Sequence, residues 1–172
     1  VSAICHDIGH GGLTNPFLVE TGNELALRYN DTSPLESMHC ATLFSICGAQ
    51  KATNVFQRLS NDEYRLARKT CIASILHTDM AHHFEMVKHL GMRYEVASKL
   101  CDEQAAASAL LPEYEAEVLK KEPALLHQLL LHLADVSNPL KPWKVCQAWA
   151  WRVLDEFFAQ GDEEQRLGIP VG

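Results

Sequence analysis

The stretch His-Asp-Ile-Gly-His-Gly-Gly-Leu-Thr-Asn, residues 6–15, constrains this chain more than any other part of it. If its first residues are helical, His6 and His10 lie one turn apart on the same face with Asp7 on their flank. Imidazole suits zinc, whereas carboxylate and water suit magnesium or manganese. The neighbouring glycines make an ordinary packed helix unfavourable. The pattern therefore favours a metal site, and Asn15-Pro16 predicts a cap and the start of a new helix.

The same stretch resembles the H-D-x-x-H-x-G-x-x-N signature of the class I 3′,5′-cyclic nucleotide phosphodiesterases. Three further stretches are similar to this family, in its order along the chain: Ser33 to His39, His77 to Met80, and Ala134 to Pro139. The resemblance implies that residues 1–172 are part of a single all-α catalytic domain. It also implies hydrolysis of cyclic GMP, cyclic AMP or both to the 5′-monophosphate, which ends cyclic nucleotide signalling.

The resemblance assigns a role to each candidate site residue. It implies two divalent cations, zinc and either magnesium or manganese, that activate water for attack on phosphorus. The implied metal ligands are His6, Asp7 and Asp135. The residues implied to lie around the metals and hold their water are His10, Glu36 and Thr78. The residues implied to contact the substrate are Asp7, Met80, Asp135 and Asn138.

Glu36 has two interpretations. Ser33 and Glu36 have the spacing of a capping box, Pro34 suits the first helical position, and Gly48 predicts the end of a helix of about 14 residues. In that case Glu36 only caps the helix. If instead it holds metal-bound water, as the resemblance implies, its carboxylate points away from the cap.

Asp135 ends a run that starts at Pro123 and is apolar nearly all round, which predicts a buried helix. A carboxylate buried there needs an ion pair, hydrogen bonds or a metal. The alternative is that Asp135 caps the following helix. Asn138 precedes a proline, so it is either a plain turn residue or, by resemblance, a nucleotide contact.

Ser60 and Glu63 form a second capping-box pattern, which predicts the start of a long helix. The segment after it is rich in histidine. Asp79 and His83 are four residues apart, so a second local metal pair is conceivable. The family pattern leaves His82 and His83 without a role.

Helices are predicted for the rest of the chain, because no convincing alternating strand is longer than four residues. Gly91 predicts one helix end, and a polar, alanine-rich helix is expected over about 95 to 109. Trp143 to Gln160 predicts an amphipathic helix that Gly161 ends, with the aromatic residues Trp149, Phe157 and Phe158 in the core. We expect a compact multi-helix domain with the metal site between helices.

Net charge, apolar runs and cysteine content indicate which partners and which location this chain can have. The formal net charge of −7 argues against a nucleic acid polymer, so the predicted partner is a small cyclic nucleotide. No apolar run is long enough to cross a membrane, and no membrane contact is expected from this segment. The six cysteines lack a framework spacing and predict reduced thiols. The expected location is the cytoplasm, or the cytosolic face of a membrane-attached parent protein.

We expect the chain to be an excerpt of a longer protein, because it starts at Val1 and enters its richest motif almost at once. The resemblance places a general-acid histidine and a fourth metal ligand upstream, and a purine-binding glutamine downstream. Regulatory domains, membrane attachment and oligomeric state are expected to belong to the missing chain. The segment Glu24–Asp31 is similar to members that prefer cyclic GMP.

Two alternatives remain at this stage. One is a catalytically weak nucleotide-sensing module that keeps the fold, although such a module has no need of a full metal set. The other is a different HD-type phosphohydrolase, which a comparison of cyclic with noncyclic substrates would separate from the first hypothesis.

Overall fold

A computed structural model describes all residues from 1 to 172, and every regular element in it is helical, as the sequence predicts. In chain order the α-helices are α1 (Ser2–Cys5), α2 (Asn15–Glu20), α3 (Glu24–Tyr29), α4 (Pro34–Ala49), α5 (Asn61–Leu76), α6 (His83–Ala106), α7 (Pro112–Tyr114), α8 (Pro123–Asp135) and α9 (Trp143–Leu167). Short 3-10 helices cover Lys51–Thr53, Met80–His82 and Asn138–Leu140, and a π-helical turn covers Glu115–Leu119. No helix is both long enough and apolar enough to span a membrane.

The chain divides into two compact units. The first contains Val1, Ala3–Arg58 and Ala134–Gly172, and the second contains Ser2 and Leu59–Leu133. In the first unit, α2, α3 and α4 pack against one another. Their contact surface is a small core of Phe17, Leu18, Ala26 and Leu35. The first unit is therefore built from two distant stretches of sequence.

Helix starts follow local capping chemistry. Ser60 and Glu63 form the predicted capping box at the start of α5. The Asn23 side chain accepts a hydrogen bond from the Leu25 amide at 2.9 Å and so caps α3. At α2 the cap is Thr14, one residue earlier than predicted, and Asn15 is the first helical residue.

The predicted capping box at Ser33 is wrong. Ser33 has a left-handed backbone (φ 42°), and its side chain makes no cap hydrogen bond to α4. An N-cap normally has an extended backbone, from which its hydroxyl can reach the helix amides. The helix itself runs from Pro34 to Ala49, close to the predicted length.

Two glycines do not end helices as predicted. Helix α6 continues through Gly91, so the two helices expected there are one, and α9 continues through Gly161 to Leu167. A single glycine inside a helix costs only about 1 kcal/mol relative to alanine. Helix α9 ends at Gly168, whose positive φ of 71° gives the left-handed cap.

The helix predicted to be buried, α8, and the helix predicted to be amphipathic, α9, both have exposed apolar residues. In α8, Leu129 and Leu131 are buried, but Leu130 and Leu133 are exposed. In α9, the side chains predicted to be core are also exposed: Trp149, Phe157 and Phe158. Large apolar side chains of these two helices therefore face solvent.

Candidate metal centre

His6 follows α1 and is oriented by that helix. Its Nδ1–H donates to the Ala3 carbonyl at 2.9 Å, which leaves Nε2 for other partners. Nε2 lies 3.3 Å from Asp135 Oδ1 and 3.4 Å from Asp7 Oδ2. A backbone acceptor behind the ring is the usual support of a metal-ligating histidine.

His6, Asp7 and Asp135 form the group that could hold a metal ion, since one ligand atom from each lies within 4.8 Å of the others. The hydrogen bond to Asp135 is the main cause that raises the pKa of His6 to about 9, with the Ala3 carbonyl and the Asp7 charge adding to it and partial burial opposing it. The ring is therefore an imidazolium between two carboxylates, and a divalent cation could take the place of its proton.

His39 is a residue of this site to which the sequence analysis assigned no role. It is buried on α4 with 1% of its surface exposed, and its Nδ1–H donates to the Ile8 carbonyl at 2.8 Å. Its Nε2 lies 3.8 Å from Asp7 Oδ1 and has no hydrogen-bond partner. Burial lowers the pKa of His39, which favours a neutral ring with a lone pair at Nε2. Its position three residues after Glu36 could have revealed it, because such residues share a helix face.

The helix assumed for residues 6–9 is wrong, since these residues form a turn. His10 Nδ1 accepts a hydrogen bond from the Gly12 amide at 3.0 Å, and its ring stacks on His39 with centroids 5.9 Å apart. The second imidazole beside Asp7 is therefore His39 rather than His10. The turn depends on Gly9, whose φ of 77° is in the left-handed region.

The Glu36 side chain contacts the side chain of Asn15, which lies on α2. Its Oε2 accepts a hydrogen bond from Asn15 Nδ2 at 2.8 Å, and Asn15 Oδ1 accepts from the Leu35 amide at 3.0 Å. Because Asn15 is helical rather than capping, its side chain is available to join α2 to the start of α4.

Asp135 is placed by the end of α8. The cap of the following 3-10 helix is Ser137, so the capping alternative for Asp135 is wrong. Asn138 starts that 3-10 helix and accepts a hydrogen bond from Lys141 Nζ at 2.8 Å. The carboxylate of Asp135 is thus available to His6.

Thr78 and Met80 belong to the second unit. Thr78 is buried, and its hydroxyl donates to the Ile75 carbonyl at 2.7 Å, whereas Met80 is exposed. The conceivable Asp79 and His83 metal pair is not formed. Asp79 caps the 3-10 helix through the Ala81 amide, and His83 Nδ1 lies 2.8 Å from His132 Nε2.

Helix α9 contacts the loop of residues 12–14, which follows the candidate metal ligands His6 and Asp7. The buried Gln160 side chain accepts from the Thr14 amide at 2.9 Å and donates to Glu164 at 2.7 Å. Gly12 has a φ of 74°, and a Cβ at this position would lie 3.6 Å from the Glu156 carboxyl carbon. This loop is therefore held from the carboxyl-terminal part of the first unit.

The residues present fit a divalent metal ion. Imidazole nitrogen and carboxylate oxygen are both ligand types that zinc takes, and three protein ligands with one open position are typical of a catalytic zinc site. The buried His39 Nε2 beside Asp7 is an acceptor for which a metal-held water would be a suitable donor. The site thus contains three residues that could bind a metal ion and a neighbouring group that could orient its water.

Comparison with known proteins gives a match over the whole chain. The family model for 3′5′-cyclic nucleotide phosphodiesterase matches residues 1–172. The chain is 36% identical to the mouse (Mus musculus) high affinity cAMP-specific and IBMX-insensitive 3′,5′-cyclic phosphodiesterase 8A, covering 99% of this chain and 21% of that protein. It is 35% identical to the human (Homo sapiens) high affinity cGMP-specific 3′,5′-cyclic phosphodiesterase 9A, covering 99% of this chain and 26% of that protein. The chain therefore spans about a quarter or less of these relatives.

A solved structure shows the same fold. The crystal structure of the phosphodiesterase domain of Salpingoeca rosetta rhodopsin phosphodiesterase aligns with a TM-score of 0.85 and 31% identity. The alignment covers 99% of this chain and 47% of that one. The helical arrangement described above is thus shared with about half of that domain.

Proposed function

This chain belongs to the 3′,5′-cyclic nucleotide phosphodiesterase family, and we propose that it contributes the metal-binding half of a catalytic domain that hydrolyses a 3′,5′-cyclic nucleotide to the 5′-monophosphate. The observation that carries the proposal is the convergence of His6, Asp7 and Asp135, whose ligand atoms lie within 4.8 Å although Asp135 is 129 positions from His6.

In this proposal His6, Asp7 and Asp135 hold a zinc ion. Asp7 also binds a second ion, magnesium or manganese, because its two oxygens face different neighbours: Oδ2 faces His6 and Oδ1 faces His39. Its side chain is 62% exposed, so it is accessible to a substrate. When bound, such ions activate water and neutralise charge on the phosphoryl oxygens.

The remaining residues orient water and substrate. His10 accepts at Nδ1 from Gly12, so its Nε2 carries the proton and can donate to a water near Asp7. Glu36 is held by Asn15 and accepts hydrogen bonds from metal-bound water in this proposal. The resemblance also implies that Thr78 contacts metal-held water and that Met80 and Asn138 contact the nucleotide. Because the chain carries a net charge of −7, the ions supply the positive charge that an anionic phosphodiester needs.

Similarity to known proteins does not decide whether the substrate is cyclic AMP or cyclic GMP, so an assay has to decide it. Matching relatives are named as cAMP-specific, cGMP-specific and dual-specificity enzymes at nearly the same identity. The cysteine content supports a reducing compartment, so we place the activity in the cytoplasm or at the cytosolic face of a membrane.

The test is hydrolysis of cyclic GMP and cyclic AMP by the chain extended on both sides to the length of the matched domains, with zinc and magnesium present. Asp7→Ala should lower kcat by roughly a thousandfold or more, because the ions lose their shared ligand. Asp102→Ala is the matched control, since Asp102 is exposed on α6, and it should leave kcat unchanged.

The outcome also separates the alternatives. Hydrolysis confined to noncyclic phosphate esters would assign the chain to another HD-type phosphohydrolase reaction. Nucleotide binding without turnover, with metals bound, would indicate a sensing module and contradict the proposal.

A further inference from the structure

A cavity of about 100 Å³ lies within the second unit, and three histidines line it. The lining residues with nitrogen or oxygen donor atoms are His77, His82, Glu85, His89 and Gln128. None of them has a role in the proposed hydrolysis, and all belong to residues 59–133. The cavity has room for a metal ion with some of its water.

His77 is held as metal-ligating histidines are. It follows α5, and its Nδ1–H donates to the Ala73 carbonyl at 2.8 Å. This bond fixes the tautomer and leaves the lone pair at Nε2. The ring of His82 stacks on His77 with centroids 4.9 Å apart and planes inclined by 24°. Two imidazoles are therefore side by side at the cavity.

His89 has the second arrangement typical of metal-ligating histidines. Its Nε2 lies 3.0 Å from the carboxylate of Glu122, so Nδ1 remains for a ligand. Glu85 is one turn earlier on α6 and lines the same cavity. Met86, between them in sequence, is only 4% exposed and gives the cavity an apolar wall.

We propose that this cavity binds a transition-metal ion of the zinc, nickel or copper type, with His77, His82 and His89 as ligands and Glu85 available as a fourth. Imidazole donors favour these ions over magnesium and calcium, which prefer oxygen. Only the group at His6 has all its ligand atoms within 4.8 Å. Binding in the cavity therefore requires side chains to move inward, and we expect a lower affinity for zinc there than at His6.

The test measures zinc stoichiometry of the full chain by equilibrium dialysis and elemental analysis, so it does not depend on hydrolysis. The background is Asp7→Ala with Asp135→Ala, which removes the first site. This background should bind one zinc ion per chain. Adding His82→Ala should weaken that binding by at least about tenfold. Losing only a residue that hydrogen-bonds to a metal ligand already lowers metal affinity by about 10–100-fold.

His77→Ala provides a second variant in case either substitution disturbs folding, which circular dichroism would detect. His127→Ala is the matched control, because His127 is exposed on the same unit and outside the cavity. With Cu²⁺ as the probe, electron paramagnetic resonance should show nitrogen ligands that His82→Ala reduces in number. Zinc binding that is unchanged in both folded cavity variants, or that falls equally in His127→Ala, would overturn the proposal.

Discussion

The protonation of His6 is the most direct property to measure at the residue scale. In metal-free protein its pKa should be about 9, which histidine NMR titration can follow. Asp135→Asn should bring the pKa down toward 6.5, because the hydrogen bond to Asp135 is the main cause of the rise. The folded-state pKa is above the unfolded value, so this interaction stabilises the fold fully below about pH 6.5. It is lost as the pH rises through 9. An unchanged pKa in Asp135→Asn would contradict this arrangement.

His39 should determine how well Asp7 binds metal. Asparagine can preserve the donor to the Ile8 carbonyl but has no counterpart of Nε2, so His39→Asn tests the second nitrogen alone. We expect His39→Asn to weaken zinc binding at the His6, Asp7 and Asp135 site by roughly 10–100-fold. This is the usual effect of losing a residue that orients a metal ligand. Isothermal titration with zinc measures this. Equal affinity in a folded His39→Asn protein would show that Nε2 has no part in the site.

At the scale of elements, Gln160 of α9 holds the loop of residues 12–14, which follows the candidate metal ligands His6 and Asp7. Gln160→Leu keeps the side-chain volume but leaves the Thr14 amide and the Glu164 carboxylate without this partner. A buried group that loses its hydrogen bond costs about 1–3 kcal/mol, and urea unfolding should show a loss of that size. Gln165→Leu, on an exposed position of the same helix, should change the free energy of unfolding by less than about 0.5 kcal/mol. Similar losses in both variants would contradict a specific role for Gln160.

Local capping chemistry predicted some helix ends correctly, although the same pattern failed at Ser33, where the backbone is left-handed. The capping box at Ser60 and the position of Asp135 at the end of α8 follow from side chains within one turn. Gly91 and Gly161 misled the prediction because a glycine ends a helix only when the backbone turns left-handed, as it does at Gly168. The pairing of His39 with Asp7 was not predictable from either segment alone, because it depends on how α4 packs against the turn at residues 6–9.

At the scale of the whole molecule, the exposed aromatic side chains of α9 form an apolar surface of the kind that binds other apolar groups. Trp143 is 71% exposed, Trp151 60% and Phe158 64%. The chain spans about half of the solved domain that it resembles. We expect the 172 residues alone to bind a hydrophobic dye, to self-associate at high concentration, and to bind metal weakly with little turnover.

The 172-residue chain should be compared with a chain extended to the full length of the matched domain. Light scattering and dye fluorescence should both fall in the extended protein. A 172-residue chain that remains monomeric without dye binding, and that turns over cyclic nucleotide as fast as the extended protein, would contradict this expectation.

The 129 positions between His6 and Asp135 also have a consequence for folding kinetics. An ion held by both residues closes a very long loop, much as a covalent cross-link would. In the chain-entropy model, a covalent closure of that length is worth about 5 kcal/mol. Such a contact forms only after the two ends of the first unit have met, so it belongs to the late part of folding. A bound ion should therefore mainly lower the unfolding rate and have little effect on the folding rate.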